Sequence, residues 1–362
     1  GFASTAHVAT LLRAPVVLVV DASAQARSVA ALVHGFATFE PGVRLGGVIL
    51  NRVGSDRHEA ILRASLGAAG VPVLGAIRRL EQLHTPSRHL GLVPAAERSA
   101  EAVTTVRRLG EVVADGVDLD AVLALARTAP PLDAVAWDPA TEVRPVTGRP
   151  RIAVAGGPAF TFGYTENAEL LSAAGAEVVP VDPLRDEALP AGVTGLVIGG
   201  GFPEVYAAEL SANETLRADV AALAGRGAPI AAECAGLLYL ARELDGVPMC
   251  GVLDVATAMS PRLALGYRAA VAPVDSVLAA AGTRVRGHEF HRTHADPAAG
   301  SSPAWQWSPA PPEGFVHGSV HASYLHLNWA GAPALAHRFV TACAAAGSAG
   351  PTRRAERQHA HR

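Results

Sequence analysis

Three valine-rich apolar runs near the start of the chain each close on polar residues. "PVVLVVDAS" (15–23), "LGGVILNRVG" (45–54) and "VPVLGAI" (71–77) are continuous enough to be strands buried on both faces. Between them, "AQARSVAALVHGFATF" and "RHEAILRASLGAAG" repeat apolar positions at helical spacing. Strand, helix, strand, helix, strand predicts a parallel sheet with crossover helices. The pattern then breaks: residues 126–150 carry five prolines without a sustained period and read as a linker. A second α/β unit starts at "RIAVAGG" (151–157), continues through the helical "TENAELLSAAGA" and the strand "EVVPVDP", and reaches "GLVIGGGFPE" (195–204). Further strands are expected near "GYRAAVAPV" and "TRVRGHEFH", followed by "GFVHGSVHASYLHLNW" (314–329). The expected organisation is a first domain over 1–125, a linker over 126–150, a second domain over 151–346 and a polar, disordered tail over 347–362.

The segment "PIAAECAGLLYL" (229–240) concentrates the chemistry. Pro229–Glu233 reads as a strand, Cys234 as a tight turn and Ala235 onward as a helix, which is the layout of a nucleophile elbow. Small residues at Ala232, Ala235 and Gly236 leave room for that turn, and a helix N-terminus beside the sulfur favours the reactive thiolate. The triplet Gly199-Gly200-Gly201, closing an apolar strand, offers backbone N–H groups that can hold an oxyanion. A thiol nucleophile needs a base, and His317, His321 and His326 all lie in the late segment; spacing does not choose among them. "GHEFHRTH" brings His288, His291 and His294 together but lacks the zinc-protease spacing, and on a strand His288 and His291 point to opposite faces. No metal ligands are assigned in this chain.

Composition narrows the class. The chain has 362 residues, half of them apolar, and a net charge of -3, so there is no basic surplus for nucleic acid. Three irregularly spaced cysteines (Cys234, Cys250, Cys343) form neither a zinc ribbon nor a disulfide framework and point to a reducing, cytoplasmic compartment. No apolar stretch of membrane-spanning length is present, and no membrane partner is expected.

The motifs "FTFGYTENAELL", "GGGFPE", "ECAGLLYL", "RGHEFH" and "HASYLHLNW", in that order, resemble the cobyrinic or hydrogenobyrinic acid a,c-diamide synthase family of cobalamin biosynthesis. Residues 151–330 look like its class I glutamine amidotransferase domain. Residues 1–100 look like the later part of its amidoligase domain, which is similar to dethiobiotin synthetase. The resemblance implies an α/β fold of two such domains, the first incomplete. It selects His326 as the catalytic histidine beside Cys234, and places the oxyanion near Ala235 and Gly200 or Gly201. Where many relatives carry a glutamate two residues past that histidine, this chain has Asn328, so a Cys–His dyad is expected.

The implied reaction hydrolyses glutamine and passes ammonia to a corrinoid whose a and c acetates are activated by ATP with Mg²⁺. The phosphate loop and Mg²⁺ ligands are expected upstream of "STAHVATLL", because no G-x-x-x-x-G-K-[ST] pattern occurs and the chain opens without Met. Asn51, at a strand end, is the expected nucleotide contact; Asp21, Ser4 and Thr5 are weaker candidates, and Arg88 and His89 are candidates for corrinoid carboxylates. A homo-oligomer is compatible with this reading. The competing readings are a cobyric acid synthase-type amidotransferase and an inactive fragment limited to glutaminase or binding.

Overall fold

The computed structural model describes residues 2–80 and 100–348. They divide into two compact units, one of 2–80 with 100–136 and one of 137–348. The candidates Arg88 and His89 and the tail 349–362 lie outside the described residues.

In the first unit, α1 (Thr5–Leu12), β1 (Pro15–Asp21), α2 (Ser28–Phe39), β2 (Arg44–Val53), α3 (Asp56–Ala68) and β3 (Val73–Arg78) alternate, and α4 (Ala100–Gly116) and α5 (Leu119–Ala126) follow. The strands pair in the order β1-β2-β3, all parallel, as the apolar runs predict. Val29 and Val33 of α2 and Leu62 and Leu66 of α3 are fully buried with Val48 and Leu50 of β2. Burying such side chains contributes roughly 1.5–3 kcal/mol each, and this packing fixes the crossovers. Asp21 and Asn51 stand opposite each other where β1 and β2 end, the edge where open α/β sheets gather ligands.

The second unit contains α6 (Pro139–Glu142), β4 (Arg151–Ala155), α7 (Thr165–Ala173), β5 (Glu177–Val181), β6 (Val193–Ile198), α8 (Ala207–Ala212) and α9 (Glu214–Gly225). Then come β7 (Ile230–Glu233), α10 (Ala235–Leu240), β8 (Glu243–Leu244), β9 (Val247–Pro248), β10 (Ala256–Val271), β11 (Arg284–Asp296), β12 (Phe315–His317), β13 (Val320–Ser323) and α11 (Ala334–Ser348). Among the described residues a central sheet runs β12-β13-β7-β6-β4-β5, parallel except for the β12–β13 pair. Alternate residues of its strands enter different cores: Ala153, Ile198 and Ala232 pack on one face, Ile152 and Ala231 on the other with α7 and α11. A second sheet, β11-β10-β8-β9, is dominated by the long β10–β11 hairpin.

The stretch read as a linker is only partly one. Its second half forms α6, whose start is capped by Asp138 accepting the Ala140 N–H, and the buried Val143 packs into the core beneath α7. Val146 N–H then donates to the Ala174 carbonyl at 2.8 Å, so the proline-rich composition conceals a docked segment.

Candidate active site

The corner after β7 is built under strain. Cys234 has φ 51° and ψ −101°, a conformation L residues seldom adopt, at a cost of roughly 1–3 kcal/mol. Neighbouring strands hold it there. Cys234 N–H donates to the Ser323 carbonyl at 2.7 Å, and Gly236 N–H donates to the Gly199 carbonyl at 3.2 Å. Helix α10 lies so close to β6 that a Cβ on Gly236 would stand 2.5 Å from the Ile198 carbonyl oxygen, so glycine is required there. The sulfur-bearing residue is 95% buried, being only 5% exposed.

His326, three residues past the end of β13, hydrogen-bonds the Cys234 side chain. Its backbone is paired in both directions with His288 of β11, His288 N–H to the His326 carbonyl at 3.1 Å and the reverse at 2.8 Å. That approach needs Gly287, where a Cβ would sit 2.3 Å from the His326 carbonyl oxygen. The His288 ring stacks on the His326 ring, with centroids 4.8 Å apart and planes within 9°. Asn167 of α7 secures the next residues: its amide donates to the Leu327 carbonyl at 3.4 Å and its Oδ1 accepts the Trp329 N–H at 2.9 Å. The motifs "TENAELL" and "RGHEFH" therefore serve to hold the histidine segment.

The expected dyad gains a carboxylate that sequence reasoning missed. Glu233 Oε1 lies 3.1 Å from His326 Nδ1, and Glu233 Oε2 accepts the Leu327 N–H at 3.0 Å. Asn328, where the carboxylate was sought, instead accepts the Ala330 N–H at 3.0 Å and caps a short turn. Burial works against a charged ring at His326. The Cys234 sulfur and the Glu233 carboxylate outweigh it and raise the imidazolium to about 11. His288 moves the other way, pushed down by burial and by His326 beside it.

The remaining candidates sort cleanly. Ala235 and Gly201 N–H groups have no acceptor among the described residues, whereas Gly200 commits its N–H to the Phe162 carbonyl at 3.3 Å. Of the two glycines expected to supply a donor, only Gly201 keeps its N–H open among the described residues; Gly200 abuts the ring, where a Cβ would come 2.5 Å from His326 Cε1. His317 is exposed at the end of β12. His321 is buried against Trp305 and bonded through Nδ1 to Ser276 Oγ at 3.0 Å, away from the sulfur. His291 stacks on Tyr324 and faces the opposite side of β11 from His288. Among the described residues no three His, Cys, Asp or Glu are grouped to hold a metal ion. A cleft of about 350 Å³ opens beside His326 and is lined by Thr161, Tyr164, His288 and Phe290.

In the first unit, Asn51 Oδ1 accepts the Arg52 N–H at 2.9 Å. Asp21 is engaged by Ser23 N–H and by the Arg52 guanidinium, each at 2.9 Å, which lowers its carboxyl to about 2. Ser4 caps α1 by accepting the His7 N–H at 3.2 Å, and Thr5 is the first residue of that helix. No helix among the described residues is long and apolar enough to cross a membrane.

Residues 151–334 match a family model described as a CobB/CobQ-like glutamine amidotransferase domain, and residues 2–87 match one described as an AAA domain. The chain is 61% identical over 374 residues to hydrogenobyrinate a,c-diamide synthase of Streptomyces coelicolor, covering 94% of this chain and 77% of that protein. It is 53% identical over 345 residues to the hydrogenobyrinate a,c-diamide synthase of Mycobacterium tuberculosis, covering 93% of this chain and 74% of that protein. With the cobyrinate a,c-diamide synthase of Gloeobacter violaceus the identity is 43% over 349 residues, covering 95% of this chain and 75% of that protein.

Proposed function

The chain belongs to the cobyrinate and hydrogenobyrinate a,c-diamide synthase family of cobalamin biosynthesis, and from that membership we propose how its second unit releases ammonia from glutamine. Cys234 is the nucleophile. Glutamine enters through the cleft beside His326, and the thiolate attacks its side-chain amide carbon. The oxyanion of the tetrahedral intermediate is met by the Ala235 and Gly201 N–H groups. His326, charged while the thiolate is free, gives its proton to the departing nitrogen, so ammonia leaves and a glutamyl thioester remains. The neutral ring then takes a proton from water, which attacks the thioester; glutamate departs and the thiolate–imidazolium pair is restored. The observation that carries this reading is the strained Cys234 corner facing His326, within a chain closely similar to synthases of this name.

The acceptor is a corrinoid carboxylate. Of the two substrates in the relatives' names, hydrogenobyrinate is the one we assign, because identity is 61% and 53% to synthases named for it and 43% to one named for cobyrinate.

Activation of that carboxylate is expected to use ATP and Mg²⁺. The residues present fit only part of that group: among the described residues the Asn51 side-chain N–H₂ has no acceptor at the carboxyl end of β2, which suits it to a nucleobase edge. The chain contains no lysine and no phosphate-loop pattern, and no phosphoryl step is assigned to its residues.

Glutamate release from glutamine tests the reading. The wild-type chain is expected to release glutamate, and Cys234→Ala to lose the activity by at least about 10³-fold. Equal release by a folded Cys234→Ala protein overturns it.

A further inference from the structure

We propose that Glu233 is the positioning residue of this site: its carboxylate holds the His326 ring as the tautomer bearing Nδ1–H and leaves Nε2 to the Cys234 sulfur. This rests on the reading of Cys234 and His326 as nucleophile and proton carrier. The geometry is specific. One carboxylate oxygen faces Nδ1 at 3.1 Å while the other accepts the Leu327 N–H at 3.0 Å, so Glu233 grips both the ring and the backbone that carries it. Glu233 is paired across the sheet with Ser323, three residues before His326, and immediately precedes Cys234. A single strand therefore sets the carboxylate and the nucleophile in fixed register, with the histidine delivered from the neighbouring strand.

The side chains are 17% and 5% exposed, so solvent does little to weaken the contact. The charged and titratable groups facing it are Cys234, His288 from β11 and Tyr164 just before α7. Tyr164 is raised to about 12, by burial and then by the Glu233 charge, and stays neutral. Glu233 is thus the anion that opposes the imidazolium on the side away from the sulfur.

Glu233→Gln separates positioning from mere support. An amide oxygen that accepts the Leu327 N–H turns its N–H₂ toward Nδ1, which forces the proton to Nε2 and blocks acceptance from the thiol. The opposite amide orientation sets N–H₂ against the Leu327 N–H. Neither reproduces the carboxylate.

The test combines rate with alkylation of Cys234 by iodoacetamide as a function of pH, read by mass spectrometry of the Cys234 peptide. Wild type and Cys234→Ala are run alongside: release that persists without Cys234 overturns the underlying reading, and the proposal with it. With Cys234-dependent release established, Glu233→Gln is expected to lower kcat by about 10²–10⁴-fold with KM changed less than about threefold. Its alkylation inflection is expected to rise by about one pH unit or more, because the imidazolium that favours the thiolate has lost its counter-charge. Glu233→Asp, which keeps the charge, is expected to hold the inflection nearer wild type while losing rate. An unchanged inflection in folded Glu233→Gln overturns the proposal. Should that variant not fold, a fully active Glu233→Asp, one methylene short of both contacts, overturns it instead.

Discussion

The ring of His326 has Glu233 at Nδ1, His288 stacked on it and Gly200 beside Cε1, so a single added methyl group is enough to move it. Gly200→Ala should therefore lower kcat for glutamine hydrolysis by about 10-fold or more, since displacement of even an ångström is costly in a preorganised site. Thermal unfolding should shift down as well, by about 1–3 kcal/mol, because the obstructed ring is buried, bonded to Glu233 and stacked on His288 and has little room to move aside. A rate equal to wild type contradicts this placement. At this scale the sequence was informative where the chemistry is local. "ECAG" carries its own corner, and the family pattern picks His326 from three histidines. Glu233 was invisible because a carboxylate reaching across paired strands leaves no fixed spacing from its histidine. The expectation looked two residues past His326 and met Asn328, a turn cap. Likewise, the open amide of Gly201 and the committed one of Gly200 differ only in the bridge to Phe162, which adjacency in a glycine triplet cannot express.

Between elements, the histidine segment depends on α7 and β11. Asn167→Ala removes both bonds to Leu327 and Trp329 and leaves buried backbone groups unpaired, at a cost of about 1–3 kcal/mol. Urea unfolding should show that loss, together with reduced glutamine hydrolysis. Gly287→Ala should be at least as harmful, about 1–3 kcal/mol or more, because its Cβ would strike the His326 carbonyl oxygen, a backbone atom that cannot rotate aside. A Gly287→Ala protein with wild-type midpoint and activity contradicts the β11 clamp. The parallel strands were legible as unbroken apolar runs; burial on both faces holds for the central strands β4, β6 and β7, whereas β1 leaves Val19 58% exposed, contrary to the expectation. The hairpin β10–β11 was read only in part: exposed and buried positions alternate along it, and "SPRL" (260–263) interrupts the pairing register. Helix α6 was hidden in proline-rich sequence, where Pro139 opens a helix after its Asp138 cap.

Over the whole molecule, buried titratable groups give stability a pH dependence, Glu313 and His321 outside the active site among them. Glu313 accepts the Ser323 hydroxyl at 2.9 Å and the Tyr324 N–H; burial, the larger influence, raises it to about 8. Unfolded glutamate ionises near 4.5, so the folded state binds more protons between those values and stability falls as pH rises through that window. His321, depressed by burial to about 3 from 6.5, acts oppositely: the unfolded state binds more protons between those values, and stability rises with pH there. The two oppose each other at mildly acidic pH; above it Glu313 is joined by His326, whose raised imidazolium also keeps a proton in the folded state, so both make stability fall as pH rises. Glu313→Gln, whose N–H₂ replaces the acidic proton toward Ser323, should flatten the fall between about pH 6.5 and 8, a difference on the order of 2 kcal/mol. Parallel urea titrations with identical slopes for both proteins would contradict this.

The central claim is that Cys234 opens glutamine, and the most direct measurement is the mass of the acid-quenched Cys234 peptide during turnover of glutamine by the wild-type chain. The account predicts a glutamyl thioester on Cys234, none on the buried thiols of Cys250 and Cys343, and none in Cys234→Ala. A glutamyl adduct at another residue, with glutamate release surviving the loss of Cys234, would contradict it.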